Sequence, residues 1–242
     1  MNAGERSARE PGGGPQGPIV TLDGPAGSGK STTAREVAHR LGFRHLDSGA
    51  LYRALTLALL ESDIPEDEWA DLDEHAMRAL DVLVTPRETE LEVSVGGRVV
   101  NDELRSEEVT SRVAYLASLP AACACVLNLR RAAGALGRLV ADGRDMGSVV
   151  FPHADVKVYL VADLGERARR RLKDGGVEEP SDEDVEVQSG VIAERDRHDS
   201  EREHSPLRKP EEAELLDTTR LSFEEQVDAI IDLVRESESA SR

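Results

Sequence analysis

Short apolar runs bounded by Pro, Gly or Asp alternate along the chain with segments whose apolar residues recur every three or four positions. The first run, "PIVTLD" at 18–23, predicts a buried strand. Beyond a glycine-rich stretch, "STTAREVAHRL" carries Val37, Ala38 and Leu41 at helical spacing. "FRHLD" predicts a second strand, and "SGALYRALTLALL" a helix with Ser48 placed to cap it. Further helices are expected over Ser106 to Leu119, from Pro120 onward, and in an Arg-rich segment from Glu166. "RLVADGRD", "VKVYLVAD" and "AELLD" supply three more strands, and an amphipathic helix from Ser222 closes the chain. Strands that alternate with helices imply an α/β fold with a parallel sheet covered on both faces.

Two segments depart from this rhythm. Between about Glu61 and Asp102 an acidic helix around Trp69 to Leu80 is followed by "LEVSVGGRVVN". The alternation at Leu91, Val93 and Val95, the Gly96-Gly97 pair and then Val99-Val100 predict a hairpin, hence a small antiparallel insertion. From about Asp174 to Glu203 the chain is polar throughout. Residues 1–17, with "EPGGGPQGP" and no apolar run, read as a flexible tail and not as a signal peptide.

Composition narrows the partners. The chain has 242 residues, 39% hydrophobic, enough for one main domain. Its 48 acidic residues against 30 basic give a net charge of -18, which opposes binding to a nucleic-acid polymer or an anionic membrane. No run approaches the roughly 20 apolar residues of a membrane span. Cys123 and Cys125 lie two apart in an expected helix, so they point to different faces and form neither a ligand pair nor a disulfide. The cytoplasm is the expected compartment, and a monomer the expected state because no uncovered apolar stripe stands out.

The glycine-rich stretch carries the chemistry. Gly24, Pro25, Ala26, Gly27, Ser28, Gly29, Lys30 and Ser31 fit the phosphate-loop pattern G-x-x-x-x-G-K-[ST], with Thr32 following, and they lie between an expected strand and helix. Backbone N–H groups and the helix N-terminus would face the phosphates, Lys30 would bridge the outer ones, and the Ser31 hydroxyl would sit near magnesium. Such loops serve GTPases, motor ATPases and small-molecule kinases alike, so downstream residues must choose among them. A guanine-reading Asn-Lys-x-Asp is absent, as is an apolar strand ending in Asp-Glu. Three Arg-bearing clusters stand instead: "DSGALYR", with Ser48, Tyr52 and Arg53; "DGRDMG", at a strand's carboxyl end; and "ERDRHDSER", where Arg195, Asp199 and Arg202 would share one helix face. That is what holding two anions at once requires.

In this order and spacing, "DGPAGSGKS", "LDSGALYR", "ADGRDMGSVVFP" and "ERDRHDSER" closely resemble the bacterial cytidylate kinases, over about Pro18 to Val234. The resemblance implies a five-stranded parallel P-loop kinase core, with 61–104 as a monophosphate-binding insertion and 174–206 as a mobile lid within one domain, 18–242. It implies transfer of the terminal phosphoryl of ATP to CMP or dCMP, with Mg2+. Arg53, Arg144 and Arg202 would hold the acceptor phosphate or the group in transit, together with Lys30. Arg195 and Asp199 would lie near the acceptor sugar, with Ser48 and Tyr52 also on the substrate. Asp145 would accept from the cytosine amino group, Arg167 and Arg171 would face the donor phosphates, and Asp142 would hold magnesium through water.

Two positions depart from the family pattern. Cys123 stands where an Arg usually helps to read the cytosine ring, and Arg130-Arg131 replaces a familiar Gln-Arg pair. A thiol cannot supply a forked cationic donor, so looser discrimination among pyrimidine monophosphates is expected. A kinase for another nucleoside monophosphate such as UMP, or an ATP-binding module without turnover, remains open at this point.

Overall fold

The computed structural model describes residues 17–87, 91–203 and 205–240. All but Gly17 of the expected tail lies outside the described residues. In chain order the elements are β1 (Ile19–Asp23), α1 (Lys30–Leu41), β2 (Arg44–Asp47), α2 (Ser48–Leu60), α3 (Glu74–Ala79), β3 (Val82–Pro86), β4 (Leu91–Val95) and β5 (Arg98–Val99). There follow α4 (Glu107–Leu116), α5 (Pro120–Gly134), β6 (Leu139–Gly143), β7 (Val156–Val161), α6 (Leu164–Asp174), α7 (Asp182–Glu201), β8 (Glu214–Asp217) and α8 (Phe223–Ala240).

Five parallel strands form the main sheet in the order β2-β6-β1-β7-β8, so the α/β class and the five-stranded parallel core both hold. β1 lies at the centre with all five residues buried, as expected for a strand covered on both faces. On one face Val20, Leu22, Val140, Val158 and Leu160 pack against Ala34 and Val37 of α1 and Val227 and Ile230 of α8. On the other, Leu46, Leu139 and Ala141 meet Leu51 and Leu55 of α2 and Val126 of α5. Each such Leu, fully buried, stabilises the fold by about 1.5–3 kcal/mol. Trp69, Met77, Val82 and Val95 of the insertion join this second core, so the insertion is packed against the main sheet and its helices.

The insertion is a three-stranded antiparallel sheet, β3-β4-β5, with the turn at Gly96-Gly97 as expected and β3 as an addition. The helix expected over Trp69 to Leu80 is two elements: a 3-10 segment, Glu66–Asp71, then α3. Leu72 is extended between them, and Asp73 caps α3 by accepting from Ala76 N at 2.8 Å. At α2 the cap is Asp47, accepting from Ala50 N at 3.1 Å, and not Ser48. Asp47 ends β2 in extended conformation, as a cap must, whereas Ser48 is already helical.

The polar stretch after α6 is largely the 20-residue α7, opened by a Ser181/Asp184 capping box. Its apolar contact with α6 is small, made by Ala168, Val185 and Ile192 together with Ala26 of the phosphate loop. No single helix among the described residues is long and apolar enough to cross a membrane.

Candidate active site

Strand register sets the site. Asp142 of β6 pairs with Leu22 of β1 on one side and Asp47 of β2 on the other, and Asp23 pairs with Gly143. β1, β2 and β6 therefore bring the carboxylates of Asp23, Asp47 and Asp142 to the carboxyl edge of the sheet, where open parallel sheets place ligands. From that edge the chain leaves β1 as the phosphate loop, β2 as "DSGALYR" and β6 as "DGRDMG".

The loop needs its glycines. A Cβ on Gly24 would lie 2.2 Å from the Leu160 carbonyl oxygen, and Gly27 has φ 74°. The loop wraps Lys30, whose buried ammonium donates to the Pro25 carbonyl at 3.1 Å. Burial, and next the charge of Arg144, push the Lys30 pKa down to about 7. Ser31 donates to Asp142, whose other oxygen meets His45 Nε2 at 2.7 Å. Burial would raise the Asp142 pKa, but the His45 and Ser31 hydrogen bonds hold it below the ordinary carboxylate value. Asp47 goes the other way, raised by burial and by the charge of Asp142. Thr32 is exposed at the start of α1.

The turn after β6 is held from below by Asp23, which accepts from Met146 N and Gly147 N at 2.8 Å each. Burial first, opposed by these two bonds, raises its pKa to about 7. The turn presents Arg144, whose Nε donates to Asp199 Oδ2 at 2.7 Å, while Arg202 Nη2 lies 2.7 Å from Asp199 Oδ1. Asp199 is buried, which would raise its pKa, yet Arg144 and Arg202 hold it below the ordinary value. The two arginines and Asp199 thus form one cluster, although α7 ends at Glu201 and Arg202 lies just past it.

Other arginines converge on this cluster. Arg195 is exposed by surface area, and the surrounding protein, then the charge of Arg144, push its pKa down to about 10, with Arg53 and Arg171 contributing. Arg53 is half-buried and donates from Nη1 to Leu104 O at 3.1 Å and Thr110 Oγ1 at 2.8 Å, tying α2 to the insertion. Burial first, and less strongly Arg105 and then Arg171, lower its pKa against the opposing charge of Asp47. Arg167 is engaged elsewhere: it donates to Ala26 O at 2.9 Å, to Ala162 O at 3.1 Å and to Asp196.

Asp196 was not singled out by sequence, although it lies in "ERDRHDSER". Its other oxygen accepts from Ala26 N at 2.8 Å, so α7 is clasped onto the phosphate loop. His45, two residues before Asp47, was also missed; only that spacing, which puts the two on one face of β2, signals it. Tyr52 donates to Cys123 Sγ at 3.6 Å, and Ser48 and Asp145 both bond the guanidinium of Arg130, at 3.2 and 2.8 Å. No group of three or more His, Cys, Asp or Glu able to hold a metal occurs among the described residues.

This arrangement can hold a polyphosphate in the loop beside a second anion at the Arg144–Asp199–Arg202 cluster. A family model described as cytidylate kinase matches residues 20–236. A cytidylate kinase of Acholeplasma laidlawii is 40% identical over 217 residues, covering 89% of this chain and 94% of that protein. One from Exiguobacterium sibiricum is 40% identical over 214 residues, covering 88% and 95%. One from Salinibacter ruber is 41% identical over 224 residues, covering 90% and 96%.

Proposed function

The chain belongs to the cytidylate kinase family, whose members phosphorylate CMP and dCMP from ATP, and we propose that the residues gathered at the sheet edge carry out this reaction here. An oxygen of the acceptor 5′-phosphate forms a bond to the γ-phosphorus of ATP while the bond to the β-γ bridging oxygen breaks, releasing ADP and CDP or dCDP. Protein offers this transfer alignment and positive charge, and no covalent partner. The loop from Gly24 to Thr32 cradles the donor through its amides, and Lys30 spans the outer phosphates.

Arg144, Arg202 and Arg53 meet the acceptor phosphate and the group in transit. Asp199 fixes the first two in a shared orientation, so their forks are aimed before substrate arrives. Arg53 exchanges its bonds to Leu104 and Thr110 for phosphate oxygens, which releases its hold on the end of the insertion and on α4 as the acceptor binds. Arg195 lies beside Asp199 at the sugar, with Ser48 and Tyr52 completing the acceptor pocket and Asp145 taking the cytosine amino group. Arg171 approaches the donor from α6, and Arg167 holds the lid to the loop.

Ser31 and Asp142 fit Mg2+: they are hard oxygen donors already in contact at the loop, and Mg2+ takes few protein oxygens, the rest coming from phosphates and water. Bound there, it would neutralise charge on the β- and γ-oxygens. The same reading makes the enzyme a monomer of the cytoplasm with no nucleic-acid or membrane partner, in keeping with its net charge of -18.

The observation that carries this reading is the pairing of Arg144 and Arg202 with buried Asp199, each 2.7 Å from one of its oxygens, at the same sheet edge as the loop that encloses Lys30. The test is ADP formation from ATP and Mg2+ with CMP, dCMP, UMP or AMP, for the protein and for Lys30→Ala. CMP and dCMP should turn over, with a loss of about a hundredfold or more in the variant. Equal rates in both proteins would reject the assignment of the loop; no turnover with any acceptor would leave an ATP-binding module.

A further inference from the structure

Of the four buried side-chain polar atoms without a partner among the described residues, three belong to one ion pair: Nε and Nη2 of Arg130 and Oδ2 of Asp145. The pair makes a single bond, Nη1 to Oδ1 at 2.8 Å, with Arg130 fully buried and Asp145 nearly so. A guanidinium and a carboxylate removed from water ordinarily fill their remaining sites, because each empty one forfeits its hydration without return. Here two donors and one acceptor are held empty side by side, beside Tyr52 of the acceptor pocket, whose ring centroid is 5.6 Å from the guanidinium carbon.

Cys123 meets the same tyrosine. It lies seven residues before Arg130, two turns away on the same face of α5, and accepts from the Tyr52 hydroxyl at 3.6 Å. Both positions depart from the family pattern, one losing an arginine and the other gaining one. Tyr52 lies against both, so a guanidinium carried at either position would reach the same pocket.

We propose that Arg130 supplies the cytosine-reading guanidinium that position 123 lacks, acting as a pair with Asp145; this rests on CMP being the acceptor. Along its pairing edge cytosine offers an amino donor at C4, then two acceptors, N3 and O2. The free oxygen of Asp145 and the two free donor nitrogens of Arg130 are the complement of that edge. Uracil would set its O4 against the carboxylate and its N3–H against the guanidinium, leaving buried groups mismatched on both sides. Discrimination is therefore tight, against the looser one expected from Cys123 alone. The pair is closed over in the free protein, so the base enters as Tyr52 shifts, and the small Cys123 leaves room that an arginine stem would fill.

The experiment compares kcat/KM for CMP and UMP in the wild type, in Arg130→Gln and in the exchange variant C123R/R130Q, with KM for ATP and thermal melting alongside. Arg130→Gln should lower the CMP-over-UMP ratio by about 10- to 100-fold while KM for ATP holds, and the exchange should recover most of that ratio, which a merely structural arginine would not permit. Should Arg130→Gln fail to fold, the wild type crystallised with CMP decides: Nε or Nη2 of Arg130 within hydrogen-bond reach of N3 or O2 supports the proposal, and a guanidinium away from the base overturns it. A ratio unchanged in a folded Arg130→Gln enzyme that still converts CMP overturns this inference alone. A wild type that does not convert CMP overturns the acceptor assignment, and this inference with it.

Discussion

For the donor-binding role proposed for Lys30 the starting point is unusual: in the free protein its ammonium is buried with one carbonyl partner and feels Arg144 more strongly than Asp142. Its pKa of about 7, against an ordinary 10.5, corresponds to about 5 kcal/mol of disfavoured charging. A triphosphate reverses this: one opposite charge at about 4 Å contributes about 4 kcal/mol at intermediate dielectric, and ATP brings several. Bound Lys30 should then keep its proton throughout the neutral range. Above pH 7 the free lysine is mostly neutral and the bound one charged, so binding takes up a proton. At pH 8 the free group is about one-tenth protonated, and uptake should be about 0.9 proton per ATP; at pH 6 it should be about 0.1. ATP affinity should weaken by up to about tenfold per pH unit above 7, since the charged form must first be made. Titration calorimetry in buffers of differing ionisation enthalpy measures the uptake directly, and Lys30→Met should abolish it. An uptake near zero at pH 8 in the wild type, or one that survives in Lys30→Met, would refute the reasoning.

Three further outcomes follow from the geometry. Asp196→Ala removes both the Ala26 N–H acceptor and the partner of Arg167, and should cost about 2 kcal/mol in denaturant unfolding; a loss below about 0.5 kcal/mol would contradict the clasp. Gly24→Ala drives a methyl to 2.2 Å from the Leu160 carbonyl oxygen, so ATP turnover should fall below detection while the melting temperature drops, and wild-type activity would contradict the loop's geometry. Asp199→Asn leaves Arg144 and Arg202 without their shared anion and should raise KM for CMP by about tenfold. Because the folded-state pKa of Asp199 is depressed, its stabilisation is present above the unfolded value of 3.8 and is lost as pH falls through the folded one. Urea unfolding should accordingly separate wild type from Asp199→Asn at pH 7 and bring them together in strong acid; a gap that persists there would contradict the sign.

The readable parts of this chain were those in which a short stretch makes its own demand on backbone or period. "PIVTLD", the glycine loop and "DGRDMG" each specify a strand end and a turn locally, and together they located the sheet edge. What escaped depends on contacts between distant segments. β3 exists because β4 offers it an antiparallel partner, and α7 is held by a capping box and a thin apolar seam, leaving little amphipathic signal in a polar stretch. The Ser48 cap failed because either of two adjacent polar residues could serve, and only the end of β2 decides for Asp47. Among site residues, the clasp of Asp196 to Ala26 spans 170 positions, and the Arg130–Asp145 pair joins α5 to a turn beyond β6. Cys123 and Arg130 were visible as departures from the pattern; the buried Arg130–Asp145 pair with its open polar atoms was not.

The most direct test of the central claim, that amides and guanidinium forks bring two anionic nucleotides end to end in a strongly anionic protein, is a crystal structure with an ATP analogue, Mg2+ and CMP bound together. The guanidinium groups of Arg53, Arg144 and Arg202 should lie within hydrogen-bond distance of phosphate oxygens, with Lys30 across the donor phosphates. Both nucleotides in place with these arginines facing bulk solvent would contradict the account.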